Sequence, residues 1–336
     1  MKFRLVVERD FFMKKIIFFI AIISILLTND KSFNKIKSLF NDYSNDVHTS
    51  EIILNESQIN NFEYIKLGDS EESIISKIGQ PSRQDLSEYG FSWYVYNQYK
   101  GKFAMVGIEN KCVVALFSNS INSNEAEGII LGYDKSSIRN KYTPIKYRKK
   151  GNVKYIINSN EEYDMIKENN KYITYFYDVV EGNKVCSYQI IDANIEDKTK
   201  DIYAKESDKL KKSFELETID LINSTRYKYN LDYLEYSENA TISSRKHSSD
   251  MILNNYFDHI NKQKESPFER MKKEGIIYTC AGENIASGQF NAIYAHEALM
   301  NSKGHRKNIL GNYKYVGVGV DFGGKYKIYY TQNFYK

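Results

Sequence analysis

Six residues of one stretch of this chain return at the same spacing further along, and that repeat limits the architectures open to the region between positions 63 and 192. Ile65, Leu67, Gly68, Ser73, Ile74 and Lys77 recur 64 positions later as Ile129, Leu131, Gly132, Ser137, Ile138 and Lys141. Each copy opens with a short apolar stretch and a glycine. A helical turn follows from Ser70 or Asp134, whose short oxygen side chains suit N-caps. Each copy then runs into strands, expected over Phe91 to Gln98, Phe103 to Glu109 and Cys112 to Ser118 in the first. In the second they are expected over Val153 to Asn158, Tyr172 to Val179 and Val185 to Ile191. Glu109-Asn110-Lys111 and Gly182-Asn183-Lys184 occupy matching places with hairpin chemistry. Two α+β half-units packed into one domain is the expected arrangement.

At 336 residues the chain exceeds one ordinary hydrophobic core, so a second domain is expected after the repeat. Residues 193–208 are dominated by Lys, Glu and Asp and read as a charged linker. From Leu210 the apolar residues Leu210, Phe214, Leu221 and Ile222 follow helical spacing, and another helix start falls at Ser237. Beyond Tyr313 the pattern becomes β, with Tyr315 to Phe322, a Gly323-Gly324 turn and Tyr326 to Phe334. Residues 209–336 thus form a second α+β domain, helices first and an antiparallel hairpin last.

The start of the chain carries a targeting signal. Lys14 and Lys15 precede an apolar run from Ile16 to Leu27, twelve residues long and interrupted only by Ser24. That is the length of a signal-peptide core and short of the roughly 20 residues that span a bilayer. Residues 1–28 read as a signal peptide or membrane anchor, and residues 29–62, rich in Asn and Ser, as a polar tether. Cys112, Cys186 and Cys280 are too few and scattered for a disulfide framework or a zinc knuckle. The net charge of +4 is small for this length, and no basic stripe interleaves with aromatics, which argues against nucleic acid as a partner. The densest basic run, Lys146 to Lys150, ends at Gly151 and reads as an exposed turn.

Four of the five histidines lie between positions 247 and 305, among them His247, His259 and His305. Glu283 and Glu297 fall between them in sequence. Two imidazoles with one or two carboxylates suit a divalent cation, zinc or another, at a site with an open position. The same groups suit proton transfer, or a purely structural brace around a groove. No tight metal motif such as H-E-x-x-H decides among these.

The residues themselves carry a resemblance. Ile222-Asn223 with Arg226, His247-Ser248-x-Asp250-Met251, Tyr256-Phe257-Asp258-His259 and Gly282-Glu283-Asn284-Ile285-Ala286 occur in order. Met300-Asn301-Ser302-x-Gly304-His305-Arg306-x-Asn308-Ile309-Leu310, Val316-Gly317-Val318-Gly319-Val320 and Gln332-x-Phe334 follow. This succession resembles the bacterial branch of the CAP superfamily (cysteine-rich secretory, antigen 5 and pathogenesis-related proteins) over roughly the last 125 residues. The resemblance implies an α-β-α sandwich with a cavity lined by two histidines and two acidic residues. His259, Glu283 and His305 match three of those positions, and Glu297 is the nearest candidate for the fourth. Asn284 and Ser302 join them as cavity residues, and His259 and His305 are the candidate metal ligands. His247 matches a helix position of the pattern rather than a cavity ligand. Leu299 stands where the family usually has Trp, and Tyr330 is the aromatic ahead of Thr331-Gln332. Leu67-Gly68-Asp69, Ile78-Gly79-Gln80-Pro81, Ser87-Glu88-Tyr89-Gly90 with Trp93, and Met105-Val106-Gly107-Ile108 are similar to the domain that often precedes bacterial CAP domains.

The expected function is a binding module, extracellular or anchored on the outer face of the cytoplasmic membrane, for a lipid, peptide or cell-wall ligand. The alternatives are a metal-assisted or His-based hydrolase with His259, Glu283 and His305 as catalytic candidates, and an envelope-assembly protein that docks partners through the repeat domain. Ser302, three residues before His305, reads as a local hydrogen-bonding partner rather than a nucleophile.

Overall fold

The computed structural model describes residues 57–126 and 130–336; the apolar run from Ile16 to Leu27 and residues 29–56 of the expected tether lie outside the described residues, as does Ile129 of the second copy, while the end of that tether is a helical turn, Gln58–Tyr64, with Ile59 and Phe62 buried. In the first half, helix α1 (Glu71–Ile78) is capped by Ser70, whose Oγ accepts from the Ser73 N–H. Strands β1 (Arg83–Leu86), β2 (Ser92–Tyr99), β3 (Lys102–Glu109) and β4 (Cys112–Ser118) follow. The second copy supplies helix α2 (Lys135–Lys141), a hairpin of β5 (Tyr147–Lys150) and β6 (Val153–Ile156), then β7 (Tyr163–Glu168), β8 (Lys171–Asp178) and β9 (Lys184–Asp192). Seven of these strands form one antiparallel sheet in the order β1-β2-β3-β4-β9-β8-β7. The two stretches make corresponding contacts: the Gly68 N–H donates to Val113 O, and the Gly132 N–H to Val185 O.

One strand of the second copy falls elsewhere than expected. Val153–Ile156 pairs only with β5 in the separate hairpin, and β7 takes the outer place beside β8. Charge hid β7, because its Asp164 is buried only by pairing with Arg139 and with the Tyr177 hydroxyl. The basic run is also not an exposed turn. Arg148 and Lys150 alternate inward along β5 and are buried, because Glu196 waits beneath them. Glu196 lies on helix α3 (Ala193–Lys198), so the expected linker begins as a packed helix capped by Asp192. Glu196 is the buried charge there, whereas Asp197, Lys198, Lys200, Asp201, Lys205, Glu206 and Asp208 are exposed.

The second half contains helices α4 (Asp208–Lys228), α5 (Glu238–Leu253), α6 (Pro267–Lys273), α7 (Ala292–Met300) and α8 (Lys303–Ile309). Its sheet has the order β10-β12-β13-β11, from β10 (Glu235–Tyr236), β11 (Ala281–Ser287), β12 (Tyr315–Gly323) and β13 (Lys327–Tyr335). Alternation along β12 sorts the layers. Val316, Val318 and Val320 join Phe214, Leu221 and Leu299 of α4 and α7, whereas Gly317 and Gly319 lie against the backbone of α5. The result is an α-β-α sandwich.

The same apolar cluster continues into the first half. Trp93, Val95, Phe103, Met105 and Phe117 point into it, while their neighbours Tyr94, Tyr96, Ala104 and Leu116 point to the opposite face, against α1 and the helical turn at 58–64. The seven-stranded sheet is therefore covered on both faces, one by its own helices and one by the second half. Where the halves meet, Asn291 Nδ2 donates to Glu88 Oε1 at 2.5 Å. Burial pushes the Glu88 carboxyl up to about 7, against the pull of Asn291 and Arg148. A carboxyl raised in the folded state adds stability below its unfolded value and loses it as pH rises through the folded one. Glu88→Gln removes that dependence. Urea unfolding is expected to show wild type losing about 2–3 kcal/mol relative to the variant between pH 4.5 and 7.5. Parallel curves for the two proteins would mean that Glu88 titrates normally.

Candidate functional site

Strand β11 enters the sheet beside β13, with Glu283 opposite Asn333 and Asn284 opposite Gln332. Glu283 is the hub. Its side chain is 1% exposed and both oxygens are engaged: Oε1 lies 2.9 Å from His259 Nδ1, and Oε2 accepts from Arg270 Nη2 at 2.6 Å. A buried carboxylate requires this kind of compensation. Arg270 also donates through Nη1 to His259 O and Glu265 O, which fixes the loop that carries the histidine. Arg270 reaches this place because α6 begins with a capping box, Ser266 with Glu269, and Pro267 at its first turn.

His259 itself is 46% exposed. With Nδ1 committed to Glu283, its Nε2 is the ring atom left for a ligand. His305, at the second position of the cluster, repeats this arrangement: its Nδ1 shares a 2.8 Å hydrogen bond with Ser302 Oγ. Burial lowers the His305 pKa, and the neighbouring His259 lowers it further. Asn284 ties the two segments together, donating to His305 O and to Gln332 Oε1. Asn308 completes the frame by donating to Glu283 O and Asn284 Oδ1. Phe257 and Ile260 flank the histidine loop with exposed apolar side chains.

The structure thus brings together His259, Glu283, Asn284, Ser302 and His305. Glu297 is not with them. It faces the first half from α7, where Oε1 accepts from Ser187 Oγ at 2.6 Å and Oε2 from Cys186 Sγ at 3.3 Å. Helical phase decides this, since α7 turns Glu297 toward β9 and Leu299 into the core. His247 is fully buried behind the hub, with Nε2 at 3.0 Å from Asp258 O and 3.9 Å from Glu283 Oε1. Burial lowers its pKa, against the pull of the nearby Glu283 carboxylate. Arg270 was not singled out from sequence; the Ser-Pro-x-Glu helix start at 266–269 was the signal that could have marked it.

Among the described residues no group of three or more His, Cys, Asp or Glu is arranged to hold a metal ion. The chemistry of the donors still fits a two-imidazole site. A carboxylate on Nδ1 orients a histidine for metal binding through Nε2, and His259 has that partner in Glu283. Glu283 is already bonded through both oxygens, Oε1 to His259 and Oε2 to Arg270, so its part at such a site is to orient the histidine. Ser302 and His305 touch as a nucleophile and base would, but the ring nitrogen bonded to Ser302 leaves only Nε2 for an orienting acid.

Comparison with known proteins gives two family matches. Residues 67–202 match the CAP-associated N-terminal family, and residues 219–334 the cysteine-rich secretory protein family. The uncharacterized membrane protein YlbC of Bacillus subtilis (strain 168) is 31% identical over 294 residues, 80% of this chain and 82% of that protein. The Bacillus subtilis protein YkwD is 43% identical over 123 residues, 36% of this chain and 47% of YkwD. In structure, the chain is similar to an extracellular protein containing a SCP domain from Bacillus anthracis, with TM-score 0.68 and 23% identity over 80% of this chain and 93% of that one. It is also similar to a cysteine-rich secretory protein from Staphylococcus aureus, with TM-score 0.64 and 17% identity over 80% and 91%.

Proposed function

Since this chain belongs to the bacterial cysteine-rich secretory protein (CAP) family and carries a CAP-associated N-terminal domain, we propose that it is an envelope binding protein whose contact centre is the His259–His305 pair. The observation that carries this reading is the hub at Glu283: a buried carboxylate, paired with Arg270, holds a half-exposed imidazole through Nδ1 and leaves Nε2 for a ligand. Such an arrangement presents a ligand-contact group at fixed orientation. The exposed apolar residues beside it, Phe257 and Ile260, suit a lipid, peptide or wall fragment with an apolar part. A divalent cation held by His259 and His305 through Nε2 would supply a Lewis acid for anionic ligand groups, with its remaining positions left to ligand or solvent. Export and attachment rest on the apolar run from Ile16 to Leu27 and on relatives named as membrane and extracellular proteins. No helix among the described residues is long and apolar enough to cross a membrane.

Zinc titration of the purified chain, followed by calorimetry, tests the centre. His259→Ala and His305→Ala are each expected to weaken zinc by about 100-fold or more, and Glu283→Gln by about 10–100-fold through loss of orientation. Cosedimentation with peptidoglycan and with liposomes should fall in the same variants. Wild-type zinc affinity in both histidine variants would remove the metal from the reading, and unchanged cosedimentation would sink the centre itself. The Ser302–His305 contact supports a second reading, hydrolysis, which predicts turnover of a wall peptide that Ser302→Ala abolishes.

A further inference from the structure

The β5–β6 hairpin stands outside both larger sheets and presents a surface that the histidine centre does not use. In it Tyr147 pairs with Ile156, Arg148 with Tyr155 and Lys149 with Lys154. Side chains alternate in direction along a strand, and directly opposite partners share a face. Arg148 and Lys150 turn inward to Glu196, so Tyr147, Lys149, Lys154 and Ile156 turn outward together. The outward face mixes apolar and basic groups. Ile156 is 75% exposed and Tyr147 40%. Lys154 Nζ lies over the Tyr147 ring, 4.5 Å from its centroid. Lys149 and Lys154 are directly opposite each other, and like charges so placed weaken a hairpin when nothing offsets them. Lys146, exposed one residue before β5, adds a third positive charge.

No acidic residue occurs in sequence between Asp134 and Glu161. Carboxylates from elsewhere serve some cations of that stretch: Glu161 pairs with Lys135 and Arg139, Asp164 with Arg139, and Glu196 with Arg148 and Lys150. Lys146, Lys149 and Lys154 have no carboxylate partner among the described residues. An anionic partner supplies what they lack, and the apolar groups beside them select its kind. A soluble polyanion uses charge alone and leaves Ile156 in water. The surface of an anionic bilayer uses both, with phosphates for the ammonium groups and the headgroup boundary for an aliphatic side chain and an amphipathic ring. We propose that the outward face of the β5–β6 hairpin is a contact surface for an anionic lipid bilayer, Ile156 and Tyr147 entering the headgroup boundary and Lys146, Lys149 and Lys154 meeting lipid phosphates. The anchor reading agrees in reach. Residues 28–56 span at most about 100 Å, so a chain held through Ile16 to Leu27 keeps the hairpin within range of the same membrane. The surface shares no residue with the His259–His305 centre and rests on the proposed function only in placing the chain at the envelope.

The test uses the full chain carrying Tyr147→Trp, mixed with vesicles of brominated lipids, which quench an indole that reaches the headgroup boundary. Trp93, the one native tryptophan, is 1% exposed and does not report. The ratio of quenched to unquenched emission should be at least about tenfold higher in vesicles with roughly one-third phosphatidylglycerol than in pure phosphatidylcholine, since each lysine near an anionic surface is worth about fivefold. Lys149→Gln with Lys154→Gln should lower that ratio about 25-fold in the anionic vesicles. Ile156→Ser should lower it about tenfold. All three changes lie on an exposed face, and either variant tests the surface if the other fails to fold. No quenching in anionic vesicles, equal quenching in the two lipids, or an unchanged ratio in the lysine variant would overturn the assignment. An unchanged ratio in Ile156→Ser would overturn it in favour of a soluble polyanion. Zinc titration reads the histidine pair and quenching reads the hairpin, so the two assignments fail independently.

Discussion

Gly319→Ala is expected to lose about 4 kcal/mol or more of stability and to be recovered largely unfolded. Helix α5 lies directly on β12. A Cβ at Gly319 would sit 2.1 Å from Arg245 N and 2.3 Å from Ser244 C, and one at Gly317 only 2.2 Å from Thr241 N. These are backbone atoms, so relief requires translating the helix rather than turning a side chain. That shift would break the bonds that Ser244 and Ser248 donate to Gly317 O and Gly319 O, at 3.1 and 2.9 Å. It would also withdraw His247 from its place behind Glu283. Gly304→Ala is the matched control, because nothing lies within 4 Å of the added methyl on α8. Urea unfolding should place Gly304→Ala within about 1 kcal/mol of wild type. A Gly319→Ala protein equally close to wild type would show that the helix does not depend on this contact.

Glu196→Gln should cost about 3–5 kcal/mol, the second largest effect. Its carboxylate accepts two bonds from Arg148, at 2.8 and 2.9 Å, one from the Tyr89 hydroxyl at 2.6 Å, and pairs with Lys150 at 2.8 Å. Removing the charge leaves two buried cations on β5 facing a neutral amide. Burial pushes the Glu196 carboxyl up, but Arg148 and Lys150 outweigh it and hold it at about 2. A carboxyl lowered in the folded state adds stability above its unfolded value and loses it as pH falls through the folded one. Wild type should therefore lose most of that advantage between pH 4.5 and 2, while Glu196→Gln should show no such step there. Equal acid sensitivity in both proteins would contradict the ion-pair account.

The parts of this fold legible in sequence are those written in local periodicity. The β12–β13 hairpin, the helical spacing from Leu210, the helix start at Ser237, and β2, β3, β4, β8 and β9 follow from alternation, capping oxygens and turn residues, whereas the cap of α4 at Ser207 fell inside the expected linker. The His259–Glu283–His305 grouping followed from a resemblance, because residues that distant in sequence share no local signal. What sequence concealed was charge placed inside. Lys146 to Lys150 looked solvated, since no local rule announces a Glu 46 residues later that binds Lys150. Glu297 looked like a cavity acid until helical phase turned it to Ser187. Arg270 was overlooked for the same reason: its partner Glu283 lies in a different element.

The strand order β10-β12-β13-β11 has a consequence for the order of events during synthesis. The last strand made, β13, lies between β12 and β11 and supplies the partner for every residue of β11 from Ala281 to Ser287. A nascent chain that stops before Lys327 has no sheet to close on Glu283, however much of α4 and α5 has formed. Closure by the final segment is a long-range event, which keeps the second half open until translation has passed residue 335.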